Sequence, residues 1–314
     1  MQSPILAHIC PLCGSKAEFL GYGVVAPWII DLLTTKIDSD TMLLECHFCE
    51  LKFYSHRYGE EEMKSLYNNY RRPLYLETRN EWEPWFRGIE NYAYESKSNA
   101  LIENRKEFFY QTMAHAGLNV SALRGCIDFG GDLGQFIPPE ILGERIVIDY
   151  SEKIDGDDSV RLYRSVNEVD CVVDLALCCH VLEHLPLIQP TIVSIAQKIR
   201  KGGYIYIEIP QDAFFGSKFH KFNSYRKWIK FLLLHKQLFI LIDFIGGAGR
   251  QIFGRLFWFG ITKQSEHINY FGSRSLEYLL NSTGFEVIHV SESDKSLKQG
   301  RLKLGRLAII GKKI

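Results

Sequence analysis

The 314-residue sequence lacks the features that would mark a secreted, membrane-spanning or strongly charged protein. It opens on MQSPILAHIC, with neither a basic region nor a sustained apolar stretch, so we expect no secretory signal. No apolar run approaches the roughly 18 residues that a membrane span needs. Because 37 Lys and Arg balance 37 Asp and Glu, no overall charge favours nucleic acid or an acidic partner. We therefore expect a cytoplasmic globular protein with one large core and a smaller module.

Cysteine is the first residue type whose placement is informative. Eight cysteines without an export signal indicate reduced thiols and metal binding rather than disulfides. Four of them form two C-x-x-C pairs, Cys10 with Cys13 and Cys46 with Cys49, separated by 32 residues. Such pairs can give four thiolates to one tetrahedral Zn²⁺, which would be structural because no coordination position stays open. The alternative is a pair of buried or redox-active cysteine turns.

The larger part of the chain alternates strand-like and helix-like segments. Four apolar runs, GCIDF, RIVID, CVVDLALC and YIYIEI, have strand length and β-branched content. Between the last two, LIQPTIVSIAQKIRKGG predicts a helix ended by Gly202 and Gly203. This alternation predicts a parallel sheet covered by helices, with a ligand crevice at the carboxyl ends of its strands.

The stretch CIDFGGDLGQF, residues 126–136, follows the first of these strands. Gly130, Gly131 and Gly134 remove Cβ atoms where the chain turns, so that a ligand can approach backbone N–H groups. Asp149 ends the next strand, where a nucleotide site places a ribose-binding carboxylate. Together these residues favour an adenosine-bearing cofactor. The spacing G-x-G-x-x-G of a dinucleotide site is absent from this turn, which disfavours a dehydrogenase.

Five segments resemble, in their order, those of class I S-adenosylmethionine-dependent methyltransferases. They are CIDFGGDLGQF, VIDYS, VVDLALCCHVLEHLP, IRKGGYIYIEIP and EHINYFGSRSLEYLLNSTGFEVIHV. The cysteine segment resembles the zinc-binding region that precedes this domain in sugar C-methyltransferases and related enzymes of surface-glycan and natural-product pathways. The resemblance implies an α/β fold: a seven-stranded Rossmann-like sheet with helices on both faces, plus a small N-terminal zinc-ribbon-like module. We predict a zinc module at 1–60, an aromatic-rich connector at 61–97 and a methyltransferase domain at 98–314 with a helical lid insertion at 211–265.

The resemblance also implies S-adenosyl-L-methionine as cofactor and assigns residues to it. The predicted cofactor-binding residues are Asp128, Gly130, Gly131, Asp132, Gly134 and Asp149, of which Asp128, Gly130, Gly134 and Asp149 match the family's pattern. Asp149 would hold the ribose hydroxyls, and the others form the turn around the methionine part. Asp132 departs from the family, because it stands where a middle glycine is usual. Either the turn is altered, or this carboxylate faces a polar group of the cofactor.

A general base is needed when the methyl acceptor is an alcohol or a carbon acid. Histidine titrates nearest neutral pH, and His184 and His267 follow segments expected to end at the carboxyl edge of the sheet. The resemblance matches Glu266 and His267 to the acid/base pair proposed for sugar C-methyltransferases, so His267 is the first candidate base. For each histidine taken singly, a structural hydrogen-bonding role is the competing interpretation.

The segment 217–263 carries nine basic residues against one carboxylate, Asp243, and interleaves them with WIKFLLL, LFILIDFI and LFWFG. This composition is typical of amphipathic helices at a membrane interface, where anionic headgroups attract basic residues. We hypothesise a lid that also contacts an anionic membrane, placing the protein peripherally at the inner membrane face. The alternative is a soluble helical cap with a solvated basic side.

The function predicted is methylation, at oxygen or carbon, of a sugar, glycan or other small-molecule acceptor. A second class is an RNA methyltransferase whose zinc module reads nucleic acid, which the neutral charge disfavours. A third is a non-catalytic homologue that binds the cofactor without turnover, which the Asp132 substitution leaves open.

Overall fold

A computed structural model describes residues 8–33, 37–68, 70, 72–86, 98–132, 134–149, 159–211, 218–253, 256–293, 297–298, 301–302 and 305–314. By contacts, the chain divides into two compact units. The first unit comprises Met1–Ala93, Gln211–Tyr270 and Lys295–Gly305, and the second comprises Tyr94–Pro210, Phe271–Asp294 and Arg306–Ile314. The domain boundaries given above remain predictions. Parts of the predicted connector (87–97) and lid insertion (212–217 and 254–255) lie outside the described residues.

The described part of the chain forms fourteen strands and eight α-helices. The strands are β1 (Ala17–Val25), β2 (Asp40–Cys46), β3 (Lys52–Tyr54), β4 (Gly125–Phe129), β5 (Glu144–Ile148), β6 (Arg161–Tyr163), β7 (Val173–Cys179), β8 (Ile199–Gln211), β9 (Lys263–Gln264), β10 (Asn269–Tyr270), β11 (Phe285–Glu292), β12 (Leu297–Lys298), β13 (Arg301–Leu302) and β14 (Gly305–Lys313). The helices are α1 (Pro27–Leu32), α2 (Glu60–Asn68), α3 (Pro73–Trp82), α4 (Ser98–His115), α5 (Ile188–Gln197), α6 (Asn223–Leu233), α7 (Lys236–Phe253) and α8 (Ser273–Ser282).

The second unit is built on a seven-stranded sheet in the order β11-β14-β8-β7-β4-β5-β6. Strands β8, β7, β4, β5 and β6 pair in parallel, and β11 pairs antiparallel with β14. Every residue of the central strand β4 is buried, as expected for a strand covered by helices on both faces. The predicted α/β fold and its terminal antiparallel pair are thus confirmed.

One helix boundary differs from the prediction. The helix expected to continue to Gly202 and Gly203 ends at Gln197, and β8 already begins at Ile199. Ile199 pairs with Val173 across the sheet, and its side chain is buried. The residues after Gln197 therefore form a strand although their local pattern predicts a helix. Strand pairing and burial in the sheet outweigh a weak local propensity.

The first unit contains a five-stranded sheet in the order β10-β3-β2-β1-β9. The N-terminal strands β1, β2 and β3 form an antiparallel meander. Two short strands from far along the chain complete it, because β9 runs parallel to β1 and β10 runs antiparallel to β3. The last residues of the predicted lid and the residues just after it therefore belong to the same sheet as β2, the strand that ends at Cys46.

Two apolar clusters hold the first unit together. One surrounds Trp28 and Tyr75 and joins α1, α2 and α3. The other joins Val24 of β1 to Tyr225, Ile229 and Leu232 of α6. In the described part of the chain, no helix is long and apolar enough to cross a membrane.

Candidate functional site

The register of the second sheet brings the ends of four strands to one edge. Phe129 of β4 lies beside Ile148 of β5 and Cys178 of β7. Cys179 in turn lies beside Glu208 of β8. The residues that follow β4, β5 and β7 therefore emerge together at the carboxyl edge, which is where parallel sheets bind ligands.

The turn after β4 has a backbone that side chains would obstruct. Gly130 and Gly134 have φ of 71° and 72°, in the left-handed region. A Cβ at Gly130 would lie 2.5 Å from Val181 Cγ2, and one at Gly131 would lie 2.4 Å from Asp128 Cγ. Gly130 therefore needs glycine for both conformation and space, and Gly131 needs it for space. The turn is held at Gly130, whose N–H donates to the Ile148 carbonyl at 2.8 Å.

Asp132 keeps the glycine-like backbone although it carries a side chain. Its φ is 53°, one of three positive values among the described residues other than glycine. Aspartate tolerates this region better than most residues do. Its N–H donates to Asp149 Oδ2 at 2.9 Å, which ties the turn to the end of β5. Although Asp132 departs from the family pattern, its backbone thus adopts the left-handed conformation that glycine favours.

Asp128 lies beneath this turn at the end of β4 and is almost fully buried. Burial raises the pKa of its carboxyl to about 7, while Arg105 opposes the shift and Asp149 adds to it. Within the described residues, Asp128 Oδ2 has no hydrogen-bond partner. A buried carboxyl oxygen without a partner is costly, so this atom fits a polar ligand group such as the amino group of an amino acid.

Arg105 of α4 is a residue that the sequence analysis missed. Its Nε donates to Glu208 Oε1 at 3.1 Å, and its guanidinium lies 4.0 Å from the centre of the Phe136 ring. Its Nη2 is buried and has no hydrogen-bond partner among the described residues. A guanidinium with an unused donor fits a ligand carboxylate. No local motif surrounds Arg105 in the sequence, so only the fold reveals its position.

His180 joins β7 to β8 through a buried polar network. Its backbone has φ of 58°, and its Nε2 lies 3.1 Å from Glu208 Oε1. Its Nδ1 lies 3.5 Å from Glu183 Oε1. Although burial alone would lower the pKa of His180, these two carboxylates raise it above its ordinary value. Tyr206 donates to the other Glu208 oxygen at 2.9 Å, so Glu208 is held on both sides.

The predicted catalytic residues fall in different units. His184 ends a 3₁₀ turn, Leu182–His184, in the second unit, with its Nε2 4.0 Å from Glu183 Oε1. Glu266 and His267 lie between β9 and β10 in the first unit. The roles assigned to these three residues remain predictions.

Glu266 is buried and held by two partners from α3. Arg79 Nη1 lies 3.2 Å from Glu266 Oε1, and the Tyr75 hydroxyl donates to the same oxygen. Arg79 also bonds Glu83 at 2.8 Å and lies 3.6 Å from the centre of the Phe86 ring. Burial and the Glu266 charge raise the pKa of Tyr75. This arrangement fixes the carboxylate that precedes His267.

The four predicted zinc ligands form one cluster in the first unit. Their sulfur atoms all lie within 4.8 Å of one another. Cys10 Sγ is 3.6 Å from Cys49 Sγ, and Cys13 Sγ is 3.3 Å from Cys46 Sγ. A tetrahedral ion with Zn–S bonds of 2.3 Å requires sulfurs about 3.8 Å apart. The cluster therefore fits a zinc ion with small adjustments.

The two cysteine turns have the same backbone design. Gly14 N–H donates to the Cys10 carbonyl and Glu50 N–H donates to the Cys46 carbonyl, both at 3.0 Å. Gly14 and Glu50 both have positive φ. Backbone N–H groups also point at sulfur, as from Leu12 to Cys10 Sγ at 3.4 Å. The hydrogen bond from Cys49 lowers the pKa of Cys10 to about 6 against the effect of burial. The same hydrogen bond raises the pKa of Cys49, and burial raises that of Cys46, so a metal ion would have to displace protons from these two thiols.

Comparison with known proteins finds one matching family model. The family model described as "Methyltransferase domain" matches residues 124–290, more than half of the chain. Among curated proteins, no sequence matches this chain significantly. Solved structures with a similar fold include the N1-methyltransferase for 1,6-didemethyltoxoflavin from Burkholderia thailandensis, with 13% identity, a TM-score of 0.45 and coverage of 89% of this chain and 98% of that one.

A second solved structure is that of the N-methyltransferase NodS from Bradyrhizobium japonicum in complex with S-adenosyl-l-homocysteine. It has 10% identity and a TM-score of 0.42, and the match covers 74% of this chain and 98% of that one. At these identities the structures contribute nothing to the choice of acceptor. The family match, on the strands and turn described above, is what assigns the chain. This chain belongs to the methyltransferase-domain family and is an S-adenosylmethionine-dependent methyltransferase.

Proposed function

We propose that this methyltransferase acts on an oxygen or carbon of a sugar, glycan or other small-molecule acceptor. The S-adenosylmethionine site is supported by the buried Asp128 oxygen, which has no partner among the described residues and lies beneath a turn where Gly130 and Gly131 leave no room for side chains. The acceptor class rests on the sequence resemblance to sugar C-methyltransferases. Equal numbers of basic and acidic residues support a small acceptor over RNA.

The cofactor supplies an activated methyl group on a sulfonium when it is bound. Asp128 would bind its amino group and Arg105 its carboxylate, because each has one buried polar atom that no described residue satisfies. Gly130 and Gly131 leave room for its backbone to approach the turn. Asp149 would hold the ribose hydroxyls while its Oδ2 accepts the Asp132 N–H. The four-cysteine cluster would hold a structural zinc ion apart from the chemistry.

The proposed base is His267, which would accept the proton of the acceptor while the nucleophile attacks. Glu266 would position it rather than take the proton, since Arg79 and Tyr75 already engage that carboxylate. Holding Glu266 in place would keep the His267 ring aligned with the acceptor, and correct alignment of a catalytic group raises the rate. His184 is the second candidate, next to the buried Glu183 in its own turn.

The acceptor class can be tested with a labelled methyl group. The protein, loaded with zinc, would be incubated with methyl-labelled S-adenosylmethionine and, separately, with nucleotide-linked sugars and with RNA. We expect labelled methyl groups in the sugars. Added RNA should not reduce the amount of label transferred to them. Transfer to RNA alone, weakened by added salt, would instead support the nucleic-acid alternative.

The base can be tested once an acceptor is found. His267→Asn should lower kcat by about 10²- to 10⁴-fold, the usual contribution of a general base, with unchanged cofactor affinity. Glu266→Gln should have a smaller effect and shift the pH profile, as a positioning residue would. His184→Asn tests the second candidate base in the same assay and should lower kcat less than His267→Asn does. Equal losses in both histidine variants would refute the assignment of His267 alone.

A further inference from the structure

The segment around α6 and α7 exposes an unusual amount of apolar surface. In the described part of the chain, seventeen large apolar side chains are exposed, and eight of them lie between residues 222 and 258. Single exposed apolar residues are normal, but their concentration in one segment marks an interaction surface. The eight residues are Phe222, Phe231, Leu234, Leu241, Phe244, Ile245, Ile252 and Trp258.

Helix α7 is apolar on two faces. Its inner face is buried at Phe239, Asp243 and Gly246, and this packing accounts for part of its apolar content. Leu241, Ile245 and Ile252 recur at helical spacing on another face and are exposed, Leu241 by 52% and Ile252 by 56%. Packing within the described part of the unit leaves this second face in solvent.

The end of α6 also carries exposed apolar side chains. Tyr225, Ile229 and Leu232 point into the core, whereas Phe231 and Leu234 do not. Leu234, between α6 and α7, is 80% exposed. A bulky apolar residue at an exposed helix–helix turn is unfavourable in water unless something covers it.

Basic residues accompany these apolar side chains. Between residues 217 and 263 the sequence has nine Lys and Arg against Asp243, a formal charge of +8 in a neutral chain. Ion pairs reduce this excess: Lys221 pairs with Glu18, Lys236 pairs with Glu81, and Lys263 pairs with both Glu83 and Asp243. Arg226 and Lys230 share one carboxylate, Asp40, so the exposed side of α6 keeps a positive excess.

We propose that the α6–α7 surface, formed by Phe231, Leu234, Leu241, Phe244, Ile245 and Ile252, docks on an anionic lipid bilayer. Apolar side chains would enter the interface while neighbouring lysines contact the headgroups. A second copy of this chain is a poorer occupant, because a two-fold contact would oppose two segments of like charge. Nucleic acid would neutralise the lysines and leave the apolar residues uncovered.

The test is flotation of the full-length, zinc-loaded protein with vesicles. Vesicles of phosphatidylcholine mixed with phosphatidylglycerol should carry the protein upward, and added salt should weaken this. Pure phosphatidylcholine should bind it less. Leu234→Ser combined with Leu241→Ser should lower the partition coefficient at least tenfold, and Lys227→Glu should lower it about fivefold or more.

Matched controls separate this surface from general stickiness. Leu142→Ser combined with Leu187→Ser removes two exposed leucines of the second unit, and Lys201→Glu reverses an exposed lysine there. Both control variants should float like the parent. Cofactor affinity, measured by calorimetry, should be unchanged throughout, so failure here leaves the proposed reaction intact. Absence of flotation at low salt would overturn the proposal, as would self-association abolished by the same leucine variants.

Discussion

At the scale of single residues, Asp132 shows how a motif can change without losing its shape. Asp132 stands where the family usually has glycine, and its φ of 53° lies in the left-handed region that glycine favours. For a residue with a Cβ this conformation costs about 1 kcal/mol. Aspartate is among the residues that tolerate it, so the substitution does not by itself argue for a non-catalytic protein.

Two substitutions at this position should separate conformation from side-chain chemistry. Asp132→Gly should retain or raise the thermal midpoint, because glycine adopts positive φ freely. Asp132→Ala should lower stability by about 1 kcal/mol, because alanine has neither the freedom of glycine nor the tolerance of aspartate. Thermal unfolding and cofactor titration measure both effects. An alanine variant more stable than the glycine variant would contradict this account.

A second prediction concerns His180, whose pKa is raised by Glu183 and Glu208. A raised folded-state pKa gives stability that is fully present below the unfolded value of about 6.5 and lost as pH rises through the folded value. His180→Asn keeps a residue that tolerates positive φ but removes the charge. Urea unfolding should show it about 1–3 kcal/mol less stable near pH 5.5, with the difference shrinking near pH 8.5.

His47 is exposed, so the variant His47→Asn controls for the general effect of replacing a histidine. A difference between parent and His180→Asn that grew with rising pH would show that the carboxylates do not hold a protonated ring. The expected sign follows from the folded state binding the proton more tightly than the unfolded chain does.

At the scale of elements, the two cysteine turns are joined through the meander β1–β3. Cys46 ends β2 and pairs in register with Ala17 of β1. Zinc binding would therefore fix the ends of strands that β9 and β10 also join. Because structural zinc contributes directly to folding, losing one ligand should loosen this whole sheet.

Cys46→Ser tests this arrangement. The parent should contain about one zinc per chain, and the variant should lose most of it because three thiolates and a hydroxyl bind zinc weakly. Amide hydrogen exchange should accelerate in β1 and β2. Cys171→Ser, at a cysteine outside the cluster, should keep both zinc and protection. Full zinc content in Cys46→Ser, measured by atomic absorption, would refute the assignment.

At the scale of the whole molecule, charge is balanced overall but unevenly distributed. The segment 217–263 carries +8, so the rest of the chain carries −8. Proteins near zero net charge associate most readily, and salt screens attraction between opposite patches. The basic segment and the acidic remainder could attract each other between molecules unless a partner covers the former.

Solubility should therefore be lowest near the sequence pI of 7.1 and improve with salt. Lys227→Glu with Lys230→Glu should move the minimum to lower pH, because the two substitutions together lower the net charge by four units. Light scattering across pH and NaCl concentration measures this. A solubility that falls with added salt near neutral pH would indicate that apolar contacts, not charge, dominate association.

Local pattern determined much of this protein. The glycine turn at 130–134, the alternation of strands and helices and the paired cysteines each follow from short-range geometry, so the sequence predicts the sheet and the zinc ligands. Tertiary structure decided the rest. Arg105 reaches Glu208 across 103 positions, and β9 joins β1 from more than 230 residues away, because pairing and burial act between segments that no sequence window contains. For the same reason Ile199, which the local pattern places in a helix, lies in strand β8.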